Sequence, residues 1–194
     1  MSYVNPADYP IHDLLRQRKS PYAIDPHRSV SEADLKAMFE AARWAMSSYN
    51  AQPWRYIVGV KERDPETWNK VFNALVPGNQ PWAKNAPVLA IGVVEHHFEY
   101  NGKDNKAAPH DLGAASAFLT LEATARGLVV HQMIGIEPDI VRQTFAISGS
   151  LEPLTGIAIG YQGDASVVEE SYAQRDTKER TRKALEEIVI RGGF

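Results

Sequence analysis

Apolar positions along the 194-residue chain recur in two rhythms, one helical and one extended, and their alternation lays out the elements. In PIHDLLRQRK, residues 10–19, Ile11, Leu14, Leu15 and Arg18 fall at helical spacing behind Pro10. A short helix there delivers Arg16, Arg18 and Lys19 near its end. Pro21 and Pro26 make the next stretch, SPYAIDPHR, an extended connection. Ser31 then stands as an N-cap with Asp34 three residues on, and Leu35, Met38, Phe39, Ala42 and Ala45 continue one apolar stripe to about Met46. WRYIVGV at 54–60 predicts a strand, PETWNKVFNAL from Pro65 a helix, and PGNQPW at 77–82 a turn-rich loop.

The run PVLAIGVV at 87–94 is almost wholly apolar, which predicts a central strand covered on both faces. A polar loop from His96 leads to a long helix from Asp111 that closes on Gly127. The front of that helix, 113–117, holds only Gly, Ala and Ser, so another helix can approach it closely. LVVHQMI reads as extended, EPDIVRQTFAI as a helix opening at Pro138, and LTGIAIGY as a second central strand. Alternating β and α elements predict layers of helix around a sheet in one domain over 1–194. From Gln162 the chain turns polar and cannot form a core alone, so 162–194 is expected to be an arm packed on the domain or on a partner.

Composition narrows the picture. A 44% hydrophobic and 23% charged chain is ordinary for a soluble globular protein, and no apolar run approaches the roughly 20 residues of a membrane span. The absence of cysteine excludes disulfides and thiolate chemistry, and MSYVNPADYP lacks a basic-then-apolar leader, so a cytoplasmic location is expected. A net charge of −3 gives no global attraction to nucleic acid or membrane.

The basic residues gather at the two ends, as Arg16, Arg18 and Lys19 beside Ser20, and as Arg175, Lys178, Arg180, Arg182 and Lys183. Guanidinium forks suit phosphate oxygens, although scattered surface charge is the plainer explanation of either cluster alone. Between the second helix and the first strand lies SSYNAQPW, where Ser47, Ser48, Asn50 and Gln52 offer groups that both donate and accept, as the edge of a heteroaromatic ring requires. A helix exit and turn would use the same residue types. Ser47 or Ser48 with His131 and Asp111 lacks a nucleophile elbow. His96, His97 and His110 sit in a solvated loop, and no strand is followed by G-x-G-x-x-G.

Four segments in order, RQRKS at 16–20, AARWAMSSYNAQPWRYIV at 41–58, DLGAASAFLTLEATARGL at 111–128 and RTRKALEEIV at 180–189, resemble the FMN-dependent nitroreductase family over roughly residues 10–191. The resemblance implies an α+β fold with a central, mainly antiparallel sheet flanked by helices, and an intertwined homodimer exchanging its C-terminal arms around two FMN sites. It implies that Arg16, Arg18, Lys19 and Ser20 form a flavin-binding run, with Arg180 and Arg182 meeting the phosphate. Ser47, Ser48, Tyr49, Asn50 and Gln52 would lie along the flavin from the other subunit. Asn79 would sit near the isoalloxazine, and the backbone of Met133, Ile134 and Gly135 beside its N5 edge. Met46 and Ala184 stand where the family often has proline, and His131 and Gln132 replace a frequent aromatic or small pair, which leaves the pocket wall and substrate open. The implied activity is ping-pong hydride transfer from NAD(P)H through flavin N5 to a small electron acceptor such as a nitroaromatic or quinone. No acid–base residue is demanded. The rival reading is an FMN-binding protein that stores or senses flavin without turnover.

Overall fold

A computed structural model describes residues 5–192. Strands β1 (Trp54–Val60), β2 (Val88–Glu95), β3 (Val129–Met133) and β4 (Leu151–Gly160) form one antiparallel sheet in the order β1-β2-β4-β3. The two continuous apolar runs are thus the inner strands, β2 and β4, as their sequences predict. Side chains of β2 serve opposite cores by the two-residue strand period. Val88, Ala90 and Val94 pack with residues of α2 (Glu32–Arg43) and α5 (Ala108–Ala125). Leu89, Ile91 and Val93 pack with residues of α3 (Pro65–Asn73), α4 (Gln80–Ala83) and α6 (Pro138–Phe145). The result is an α+β architecture with helices on both faces of the sheet.

Local chemistry places the ends. The Ser31 hydroxyl caps α2 by accepting from the Asp34 amide at 3.0 Å. Gly127, at φ +73°, closes α5 as a left-handed residue just past its C-cap. Gly59 is required for packing, since a Cβ there would meet the Trp68 backbone at 2.4 Å, so only glycine lets α3 lie this close to β1.

The structure differs from expectation at several boundaries. The first helix, α1, covers only Asp13–Gln17, and α2 stops at Arg43 rather than near Met46. The expected loop at 77–82 holds as a turn over 77–79, but its second half winds into α4, with Pro81 in its first turn and Trp82 wholly buried, because burying that indole outweighs the turn signals around it. Helix α5 begins at Ala108 instead of Asp111, its first turn accommodating Pro109. At its small-residue front, Ala115 is buried among the α2 contacts, whereas Gly113 and Ala117 are exposed in the chain.

The polar tail divides in two. Its first part packs on its own chain: Gln162 bridges Ile24, Asn85 donates to the Val167 carbonyl at 2.7 Å, and Tyr172 donates to the Gly78 carbonyl at 3.0 Å. Within α7 (Glu170–Thr177), the Asp176 carboxylate accepts from the Tyr22 and Ala23 amides, each at 2.8 Å. Beyond α8 (Leu185–Ile188) the character changes, with Ile188 and Ile190 exposed at 62% and 84%.

Candidate functional site

The arm returns Arg180 to the N-terminal cluster across 162 residues, where it donates to the Arg18 carbonyl at 3.0 Å and to Asn5 Oδ1 at 2.6 Å. Arg18 in turn donates to Ser20 Oγ at 3.0 Å. Burial, then the neighbouring Arg180 and Arg182 guanidiniums, lowers the Arg18 pKa from the usual arginine value. Three cations are therefore held close enough to repel one another, and among the described residues neither Arg18 nor Arg182 has a carboxylate within ion-pair distance. Such a cluster favours an anion between its members.

Two clefts meet at Arg18. The outer one, about 530 Å³, is lined by Arg18, Arg180, Arg182 and Lys183 together with Asp8 and Glu179. The inner one, about 340 Å³, combines Arg18 and Ser20 with Leu15, Ala117, Leu121, Val130 and Gln132, a charged end beside an apolar wall. Lys19 lines a third, smaller recess with Ser20, Arg175 and Arg180, and Arg16 lines none of the three.

At the exit of β3 the chain turns sharply, with Ile134 74% exposed and Met133 buried. The Gly135 carbonyl accepts from Val76 N at 3.2 Å and from Asn79 Nδ2 at 2.9 Å. Asn79 thus gives one of its two amide N–H bonds to the turn; a Cβ on Gly135 would lie 2.4 Å from that same nitrogen. The Ile134 and Gly135 amides donate to no other group among the described residues, which leaves two successive N–H groups for a ligand.

The SSYNAQPW stretch is a strained turn. Tyr49, Asn50 and Gln52 have φ of 52°, 55° and 48°, a left-handed backbone that non-glycine residues adopt at a cost of roughly 1–3 kcal/mol each. Internal bonds hold it: Ser47 Oγ accepts from Gln52 N at 3.1 Å, and Gln52 Nε2 donates to the Asn50 carbonyl at 3.1 Å. The buried Asp111 carboxylate accepts from Ser48 N at 3.0 Å and fastens the turn to the start of α5. Tyr49, 82% exposed, meets the Phe98 ring edge at 5.8 Å. The Ser47 hydroxyl and the Ser48 backbone amide are thus engaged within the turn and with Asp111, while His131 is held elsewhere, its Nδ1 at 3.0 Å from the Pro21 carbonyl and its ring 4.5 Å from that of Trp82.

The sequence profile of the nitroreductase family matches residues 15–161. This chain belongs to the nitroreductase family. It is 32% identical to an uncharacterized 15.4 kDa protein of Mycolicibacterium smegmatis over 148 residues, 71% of this chain and 95% of that protein. A crystal structure described as an oxidoreductase containing FMN superposes with a TM-score of 0.90 at 32% identity, over 98% of this chain and 96% of that one. The major NAD(P)H-flavin oxidoreductase of Aliivibrio fischeri is 36% identical over 74 residues, 38% of this chain and 34% of that enzyme.

Within this nitroreductase fold, the expected site residues fall into three groups. Arg18, Ser20, Arg180 and Arg182 come together, Met133, Ile134, Gly135 and Asn79 form a second assembly, and Ser47 to Gln52 a third. One residue escapes a reading of the sequence alone, and another is anticipated there only as part of the pocket wall. Asp111, which the sequence suggests only as a hydrolase partner, anchors the strained turn, and Gln132 lines the inner cleft. The signal for Asp111 is its place at the front of a helix following a polar loop. Gln132 is signalled only by the resemblance, as a departure from the usual pair at the pocket wall.

Proposed function

We propose that the chain is an FMN-dependent oxidoreductase, working as a homodimer, that moves hydride from NAD(P)H to a small electron acceptor such as a nitroaromatic or quinone by a ping-pong cycle. The observation that carries this reading is the convergence of Arg180 and Arg182 on Arg18, which together with Ser20 also lines an apolar cleft. A dianionic phosphate relieves the mutual repulsion of those guanidiniums, and a flat apolar ring system matches the wall beyond them. The FMN in the superposed oxidoreductase and the NAD(P)H-flavin activity of the Aliivibrio relative support it.

Bound FMN would supply the two-electron hydride chemistry. The chain's own residues would bind and orient it. Arg18, Arg180 and Arg182 would hold the phosphate, with Arg16 and Lys19 adding positive potential around it. The free Ile134 and Gly135 amides would offer fixed donors where negative charge develops, at no reorganisation cost during reaction. Asn79 would keep that turn in shape, and Met133 would root it in the core.

The place where the strained turn is fastened supports the homodimer in this reading. Asp111 and Thr120 lie nine residues apart on α5, which at about 100° per residue puts them on opposite sides of the helix. Thr120 lines the inner cleft and Asp111 holds the turn, so Ser47, Ser48, Tyr49, Asn50 and Gln52 of one copy are suited to a cleft of the other. The exposed Trp44, Met46, Gly113, Ala117, Ile188 and Ile190 give such a partner an apolar surface. A cytoplasmic NAD(P)H pool fits this role, and no helix among the described residues is long and apolar enough to cross a membrane.

The test is the visible spectrum of the purified protein supplied with FMN, followed by anaerobic titration with NADH and NADPH. Uptake of flavin and bleaching by at least one nicotinamide is the expected result. A protein that takes up no FMN refutes the cofactor assignment, and one that stays oxidised with both nicotinamides refutes the oxidoreductase assignment.

A further inference from the structure

Gln132 stands on β3 as an exposed residue that lines the inner cleft, and its side-chain amide is held at one end only. One atom of that amide lies 3.0 Å from the Ser116 carbonyl oxygen and 2.9 Å from Thr120 Oγ1. A backbone carbonyl only accepts, so the atom beside it must be the nitrogen. Thr120 confirms the orientation from its side: its hydroxyl proton is already donated to the Ser116 carbonyl at 2.7 Å, which leaves Oγ1 as an acceptor. Both N–H bonds of Gln132 are thereby spent on α5. The platform is itself fixed, since Ser116 Oγ meets the Tyr56 hydroxyl at 3.1 Å and both Ser116 and Thr120 are buried.

Among the described residues nothing donates to Gln132 Oε1. The polar atoms this cleft offers a ligand are thus unlike one another. Arg18 donates, Ser20 accepts from Arg18 and keeps its own proton to give, and Gln132 can only accept. A ligand meeting all three needs an anionic or acceptor group close to a neutral hydroxyl, with apolar surface for Leu15, Ala117, Leu121 and Val130. A phosphorylated sugar alcohol joined to a ring has that composition.

We infer that Gln132 is a specificity residue of the site, whose locked amide carbonyl accepts from a hydroxyl of the ligand's polyol chain, in FMN the ribityl chain. The inference rests on the proposed FMN reading and adds a discrimination to it: the cleft selects a hydroxylated phosphate ester over a plain alkyl one. Glutamate could not substitute, because its carboxylate would face the Ser116 carbonyl with no proton to donate.

The test compares two ligands on the full-length protein by flavin fluorescence quenching. One is FMN; the other is a flavin carrying an unsubstituted pentyl phosphate at N10. Wild-type protein is expected to bind FMN about three- to tenfold more tightly than the analogue, the worth of one neutral hydrogen bond. Gln132→Met, similar in volume, is expected to lose that preference by weakening FMN while leaving the analogue unchanged. A second variant, Thr120→Val, keeps Gln132 but frees one N–H, and its preference should shrink partway. Equal loss for both ligands in Gln132→Met, or an undiminished preference, overturns the inference while FMN binding itself stands. Failure of wild-type protein to bind either flavin overturns the cofactor reading instead.

Discussion

Removing Arg182 tests the cationic cluster, because its consequences for the ligand-free and flavin-bound protein have opposite signs. In the absence of ligand, Arg182 is one of the two charges that press on Arg18 and help lower its pKa. Arg182→Ala relieves that repulsion and removes one local hydrogen bond, to the neighbouring Thr181 carbonyl at 2.8 Å on the exposed surface. The melting temperature of the ligand-free variant should therefore not fall. With FMN the balance reverses. A hydrogen bond to a charged group contributes about 1.5–3 kcal/mol, so losing the Arg182–phosphate contact should raise the FMN dissociation constant roughly 10- to 150-fold. Arg18→Ala should weaken FMN at least as much, since its guanidinium is more buried, while the Arg180 contact to the Arg18 backbone carbonyl survives the substitution. Fluorescence titration at low and high salt gives the check. The gap between wild type and Arg182→Ala should narrow near 1 M salt, where the screening length is about 3 Å. Unchanged FMN affinity in both variants would refute the phosphate assignment. A ligand-free melting temperature that drops in step with affinity would show that the arginines serve the fold instead.

Other consequences can be read by unfolding and binding measurements. Gly59→Ala drives a Cβ to 2.4 Å from the Trp68 backbone, so α3 must shift; a loss of about 1–3 kcal/mol is expected from the urea midpoint, and an unaltered midpoint would contradict the packing. Asp111→Ala removes the acceptor of the Ser48 amide and should free the strained 47–52 turn, speeding its amide exchange and weakening FMN, whereas Asp111→Asn keeps an acceptor and should do so less. Unaltered exchange in Asp111→Ala would show that the turn holds itself. Burial lowers the His131 pKa below its ordinary 6.5, against smaller raising effects of the Pro21 carbonyl and Asp176. The unfolded chain then binds the proton more readily, so this stability is full above about pH 6.5 and declines as pH falls through that value. His131→Phe should flatten the urea midpoint between about pH 7 and 5, and a slope equal to wild type would falsify the contribution.

Much of the fold is legible locally. The runs that became β2 and β4 are apolar on both faces because each is covered on both faces, and Ser31 with Asp34 marks a helix start by side-chain chemistry alone. In the 77–82 segment Pro77 and Gly78 rightly mark a turn, while the 80–82 half misleads because Pro81 is a turn-former in isolation and the buried Trp82 decides the outcome from within the core. At the site, SSYNAQPW advertises its polar groups but not the positive φ values of Tyr49, Asn50 and Gln52. Nothing in those residue types announces a left-handed turn fastened to Asp111, 63 residues from Ser48. Asn79 is expected near the ligand by its place in the chain, and the structure adds that one of its amide N–H bonds goes to the Gly135 carbonyl.

The chain by itself determined its periodicities, its helix signals and the residue types available for chemistry, because these depend on neighbours within a few positions. It also placed guanidiniums at both ends. Only the tertiary structure decided that Arg180 returns to Arg18, and that the Gln132 amide nitrogen is taken by Ser116 and Thr120 while its carbonyl oxygen keeps no donor among the described residues. Those outcomes depend on which groups from distant segments are already paired. Hydrogen-bond satisfaction in a packed interior is a property of the whole arrangement and leaves no trace in local spacing.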